Sequence, residues 1–426
     1  MEHFYTPNMA ECMGKTDSES INNAVRLAAE RGTGKVVIPR INERTGLPLW
    51  EVERAILLPS DIQIVLDNCL LRQAEGCMDN VFRNANMYGD RSSTRAGEQR
   101  NIRITGVGNA VIDGGIHNGL TERTSQKDGL PHVSCNNAIL LHNVDGFAIE
   151  NITVRNPRWW AINLIFATNG RIKDITIDAK DDVPNQDGID LRTGCHNVTI
   201  ENVYGQAGDD LVALSGFSGE ARRGLAVEGK SPDIFNVTIR NVVGTSVTKA
   251  VVALRNHDGI RLHDITVDGV TDTSGDDRGN RPYAVVRIGQ KTYSYIRPSV
   301  LGETSRIFVK NVHAAHGDAV MLGVTLSDSR FEGLFCGKEA RTAFTTRSDW
   351  SRALPGVRMR NVTVDGIYCD PEASAALPLI ELLRGEECDG AEGVTFRNLL
   401  APEGRPLICS EYEGGYTVEQ TEKSTA

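Results

Sequence analysis

A chain of 426 residues, 40% of them hydrophobic, is long enough to bury a large core. Its net charge of −10 disfavours nucleic acid or an anionic membrane surface as a partner. No apolar run approaches a membrane-spanning length, and 42 glycines with 6% aromatics suit many tight turns between short strands better than a helical bundle.

The N-terminus, MEHFYTPNMAECMGKTDSES, lacks a basic stretch followed by an apolar one. The expectation is a cytoplasmic protein, or a secreted one whose leader has been removed. The nine cysteines show no metal-ligand spacing. Cys69, Cys135, Cys195 and Cys369 lie in or beside apolar strands and read as small buried hydrophobes. No metal site and no cofactor is expected.

Residues 17–31 carry Ile21, Ala24, Val25, Leu27 and Ala28 on one stripe, which predicts an amphipathic helix. Asp17 or Ser18 would cap its start, and Gly32 with Gly34 would end it. One helix ahead of many strands suggests a plug over an open solenoid end. Strands are expected at 35–39, 55–58, 62–66, 101–104, 110–112 and 138–142. The polar segments 88–100 and 117–134 read as surface loops. From there a pattern, (Asn/Asp)-(Val/Ile)-Thr-(Ile/Val), recurs at Asn151, Asp174 and Asn197, about one coil apart. Later copies start near Asn236, Asp264, Ile307, Val357 and Gly393. Alternate residues of each short strand point inward, and the polar Asn or Asp occupies a turn. Parallel strands need long crossovers, and the intervals are too rich in strands for helices. The reading is all-β: a right-handed parallel β-helix, a single domain over 1–426 with a capping helix at 17–31, coils over 35–410 and a polar tail over 411–426.

Within the same period, carboxylates fall at corresponding places: Asp187 in Asn-Gln-Asp-Gly, then Asp209 and Asp210 in Gly-Asp-Asp. Taken singly, each is a turn residue. Stacked coils rise about 4.8 Å, so acids one coil apart come within reach of the two-carboxylate chemistry of glycoside hydrolysis. Repulsion between them would raise the pKa of one, as a general acid requires. Arg222, Arg223, Lys230, Lys249, Arg255, Arg261 and Arg287 gather in the middle of the chain. They either rim a site for an anionic glycan or balance local acids. His257 and His263 read as satisfied turn histidines.

This stretch resembles the polygalacturonase-like glycoside hydrolases of family 28, which are right-handed parallel β-helices. The matching residues are Asn156-Pro157 with Trp159 or Trp160, Pro184-Asn185-Gln186-Asp187-Gly188-Ile189-Asp190, and Gly208-Asp209-Asp210. The resemblance implies hydrolysis with inversion, with Asp209 as general acid and Asp187 and Asp210 activating the water. It implies no cofactor and a carbohydrate as the partner. Asn185, Lys249, Arg287 and Trp160 are the candidate substrate-binding residues. The family's Gly-His-Gly has no counterpart in Val247–Leu254, and its Arg-Ile-Lys appears as Arg287-Ile288-Gly289, so Lys249 or Lys291 would have to supply the cation. That departure points to a pectin-like glycan other than plain homogalacturonan. Two other classes fit the same fold: a Ca²⁺-dependent polysaccharide lyase, and a glycan-binding β-helix without catalysis. Oligomeric state is not legible.

Overall fold

The computed structural model describes residues 3–115, 136–179, 185–219, 224–247, 249–275, 281–289, 296–347, 358–384 and 390–419. The expected loop at 117–134, Cys135, Pro184, Arg222, Arg223 and Lys291 lie outside these residues. The chain forms two compact units, Met1–Asp209 with Ala221–Ser231, and Asp210–Glu220 with Pro232–Ala426. Both are built as a right-handed parallel β-helix. Among the described residues no helix is long and apolar enough to cross a membrane.

In the first unit, parallel pairing stacks like on like. Val36, Ile64, Ile104, Ile149, Ile172 and Ile200 are successive register partners on six strands. All six are buried. In the second unit Ile239, Val267, Val309, Phe331, Val364 and Phe396 form the equivalent column. Each β-branched or aromatic residue therefore covers its neighbours along the axis as well as across the coil, which suits these residue types.

The helix Asp17–Glu30 packs on the first strands of the first unit, as a plug should. Its cap is not Asp17 or Ser18. Thr16 takes that position and its hydroxyl accepts the Glu19 N–H at 3.2 Å. Asp17 is drawn away by Arg44, Asn42 and the Glu51 N–H, and Ser18 by the N–H of Glu53. Three short strands, Trp50–Val52, Leu70–Gln73 and Phe82–Asn84, escape the sequence reading because three or four residues are too few to establish a period, although each alternates in burial.

The corners hold the coils in phase. Residues with left-handed backbone occur in pairs five apart, from Gly146 and Asn151 through Asn169 and Asp174 to Gly393 and Asn398. Asn, Asp and Gly carry this conformation most cheaply. The side chains also form ladders: Asn197 donates to Asn169 at 2.8 Å, Asn169 to Asp145 at 2.5 Å, and Asn202 to Asp174 at 2.6 Å. The repeat read from sequence is therefore corrected. Asn151 and Asp174 share one corner, but their mate in the next coil is Asn202, since Ile152, Ile175 and Val203 are register partners. Asn197 belongs to the other corner, above Asn169. Identical local patterns at two corners per coil made one ladder look like the other.

The C-terminal boundary also moves. Tyr416–Glu419 pairs in parallel with Val394–Arg397, so the coils continue at least to Glu419 rather than ending at 410. The strand is largely exposed, Val418 included, which is why its polarity reads as a tail.

The polar segment 88–100 docks on residues 224–231 within the first unit. The Glu228 N–H donates to the Ser93 carbonyl, Arg95 to that of Gly229, and Lys230 pairs with Glu98. Leu225 and Val227 pack with Met87, Leu140, Ile165 and Phe166.

In the second unit Asp318 is fully buried, with the Thr342 hydroxyl donating to one oxygen at 2.7 Å. Burial pushes its carboxyl up to about 6, more than the Thr342 hydrogen bond and Arg347 lower it. A raised carboxyl binds protons more tightly when folded, so its contribution is complete below the unfolded value near 4 and is lost as pH rises through about 6.

These positions can be tested by substitution. Asn169→Ala loses the ladder and forces a Cβ residue into left-handed backbone, whereas Asn169→Gly loses the ladder alone. Urea unfolding should show the alanine variant less stable than the glycine one by about 1 kcal/mol, and equal midpoints would contradict the corner argument. Asp318→Asn should stabilise the chain at pH 8, by on the order of 3 kcal/mol, and change it little at pH 4. A gain of the same size at both pH values would mean that the carboxyl does not titrate in this window.

Candidate active site

The turn that carries Asp187 opens at Asn185, buried and in left-handed backbone. Gln186 comes next, fully buried. Its side chain donates to the Pro157 carbonyl at 2.6 Å, and its own carbonyl accepts the N–H groups of Gly208 and Asp209 at 3.0 and 3.4 Å. One residue thus ties the Asp187 turn to the coil before it and to the turn after it. The Asp187 carbonyl accepts the Ala161 N–H at 2.9 Å, and the Gly188 carbonyl that of Ile162. The backbone around Asp187 is fixed on both sides.

As a result the carboxylates of Asp187 and Asp209 approach within 4.8 Å. Asp187 is buried and Asp209 is partly exposed. A pair of oxygen donors at this spacing could also ligate a hard cation.

Trp160 sits one residue from the Ala161 that holds Asp187. It is buried, edge-on to Trp159 with ring centroids 6.4 Å apart, and the Arg192 guanidinium lies 4.5 Å from its ring centre. Arg192 in turn lies 3.6 Å from the buried Asp190. Asp190, Asn163 and Leu140 are register partners, so the apolar cover from Leu225 and Val227 lies along the column that carries Asp190.

Asp210 begins the second unit. Its carboxylate is fully buried, and three donors converge on it. One Arg287 nitrogen lies 2.9 Å from both oxygens, an Arg255 nitrogen is 3.2 Å away, and the Ala250 N–H donates at 3.0 Å. Arg255 also donates to the Ser215 hydroxyl at 3.0 Å. A buried carboxylate is tolerated only with such compensation. Arg287, a candidate substrate-binding residue, is itself buried on Asp210. Lys249 precedes the Ala250 that holds Asp210; it is partly exposed, with its ammonium 5.9 Å from the centre of the Tyr283 ring.

The sequence-derived residues thus fall in two groups. Asp187, Asp209, Asn185 and Trp160 converge in the first unit, and Asp210, Lys249 and Arg287 in the second. Of the other basic residues read from sequence, Arg255 serves Asp210, Arg261 pairs with Asp233 and Lys230 with Glu98. Balancing local acids is their role in the fold. His257 is buried, with its ring nitrogen accepting the Ser299 N–H at 3.1 Å, and His263 stacks on Phe235. Gln186 was not legible as a site residue; nothing but its place inside the acidic motif marks it. A separate recess of about 530 Å³ on the first unit, lined by Gln63, Arg103, Phe147 and Arg171, touches none of the acids.

The family model described as glycosyl hydrolases family 28 matches residues 60–223. A probable polygalacturonase of Vitis vinifera is 30% identical over 131 residues, which covers 31% of this chain and 25% of that protein. An exopolygalacturonase of Zea mays is 25% identical over 259 residues, 57% of this chain and 58% of that one. The chain therefore spans from a quarter to somewhat over half of these relatives. The family 28 exopolygalacturonase structure from Yersinia enterocolitica superposes with a TM-score of 0.55 at 14% identity, over 98% of this chain and 78% of that one, a likeness of fold. The stretch matched by the family 28 model includes both Asp187 and Asp209.

Proposed function

We propose that the protein is a glycosidase that hydrolyses O-glycosyl bonds in a pectin-like glycan. The observation that carries the reading is the approach of the Asp187 and Asp209 carboxylates within 4.8 Å, on backbone clamped through Gln186. Asp209, the more exposed of the two, serves as general acid on the leaving oxygen. Asp187 acts as base on the attacking water. Asp210, which the family resemblance joins to Asp187 in activating the water, is held by Arg287, Arg255 and the Ala250 N–H. The polygalacturonase names of the relatives support a pectic substrate. The lack of histidine in Val247–Leu254 and the engagement of Arg287 with Asp210 support one other than unmodified homogalacturonan. The cover formed by residues 88–100 and 224–231 beside the Asp190 column supports attack near chain ends.

The family resemblance favours inversion. A second reading has its own observation. Inverting pairs hold their carboxyl groups roughly 6.5–9.5 Å apart to admit a water, and retaining pairs about 5–5.5 Å. A closest oxygen approach of 4.8 Å or less leaves room for the shorter, retaining separation of the two groups. In that case one of the two carboxylates would attack the sugar directly.

Asp209→Asn and Asp187→Asn should each lower turnover on the best glycan of a pectic panel by about 10²–10⁴-fold while the glycan still binds. Unchanged turnover in Asp209→Asn would remove it from the chemistry. A product with ultraviolet absorbance from a new double bond, abolished by a chelator, would replace hydrolysis with elimination.

A further inference from the structure

Cys336 and Cys369 are register partners on the neighbouring parallel strands Leu326–Ala340 and Arg358–Cys369. Adjacent strands lie about 4.8 Å apart, inside the range of Cα separations that a disulfide accepts. Both residues are free cysteines, buried, and the Cys336 thiol is hydrogen-bonded to the Cys369 sulfur.

The second observation is Arg405, a guanidinium that is 5% exposed. It donates to the Leu377 carbonyl at 3.1 Å and to the Arg341 carbonyl, and its remaining terminal nitrogen lies 3.4 Å from the Cys369 sulfur. Among the described residues Arg405 forms no ion pair with a carboxylate. The buried cation therefore faces a sulfur. The Cys336 hydrogen bond and Arg405 hold the Cys369 thiol below its ordinary value against burial and Asp370. Cys336 is held above it by the same hydrogen bond, by burial and by Asp318, against Arg405. The thiolate is the nucleophile and the thiol its resolving partner.

We infer that Cys336 and Cys369 form a redox modification site that closes to a cross-strand disulfide when the protein meets a peroxide. The Cys369 thiolate attacks a peroxide oxygen. The S–O bond forms, the O–O bond breaks, and the departing oxygen leaves as water after protonation. The Cys336 sulfur then attacks the sulfenic sulfur, forming S–S and breaking S–O. A second water leaves with the Cys336 proton. The two sulfurs are oxidised and the peroxide is reduced, with nothing left over. The product staples two consecutive coils of the second unit.

The test is limited treatment of the folded full chain with hydrogen peroxide, denaturation in an alkylating reagent, and peptide mass spectrometry. The expected result is one linked peptide pair, Cys336 with Cys369, separated by a reductant. In Cys336→Ser, Cys369 should be captured by a sulfenic-acid probe, and in Cys369→Ser, Cys336 should remain a thiol. Recovery of both cysteines in alkylated form at a dose that oxidises the exposed Cys409 would overturn the inference. So would a pairing of either with another cysteine, or trapping of Cys336 rather than Cys369.

Discussion

Parallel register, coil upon coil, is the constraint on which the rest depends. A residue and its counterpart one coil later are held side by side at the strand spacing. Whatever occupies a position in one coil must be compatible with its counterparts in the coils on either side. For the core this means columns such as Val36 to Ile200, in which each apolar residue is buried by its own kind. For the corners it means left-handed residues that hydrogen-bond to each other along the axis. For the site it means that the carboxylates of Asp187 and Asp209, one coil apart, are brought together.

The same constraint makes a buried charge unforgiving. Asp210 is fully buried where the chain bends ahead of the strand Val212–Gly216, and the fold supplies Arg287, Arg255 and the Ala250 N–H as its partners. Loss of one such partner typically costs several kcal/mol. Structure and proposed chemistry therefore share these arginines. That explains why Arg287 has the burial of a core residue, although its residue type and place in the motif suggest ligand binding.

The fold was legible because alternation and the Asn/Asp repeat are both local signals. Phase was not. Asn197 looks like Asp174 in sequence, yet the ladder joins it to Asn169, and the true mate of Asp174, Asn202, lies in a less regular stretch. Glycine or arginine at other corners hides the pattern further, as at Gly146 and Arg306. The acids were legible through spacing and motif. Gln186, which positions them, was not, since an amide that binds backbone has no sequence signature. Polarity misled at 411–426, where Tyr416–Glu419 is largely exposed and still pairs with Val394–Arg397.

If Asp187 and Asp209, stacked one coil apart, hydrolyse a glycosidic bond with inversion, the configuration of the new reducing end is fixed. The most direct measurement is proton NMR of the first product formed from pectic oligosaccharides with α-linkages, before mutarotation. The account predicts a β-configured reducing end. An α-configured product would assign the pair to the retaining geometry, and an unsaturated product would contradict hydrolysis altogether.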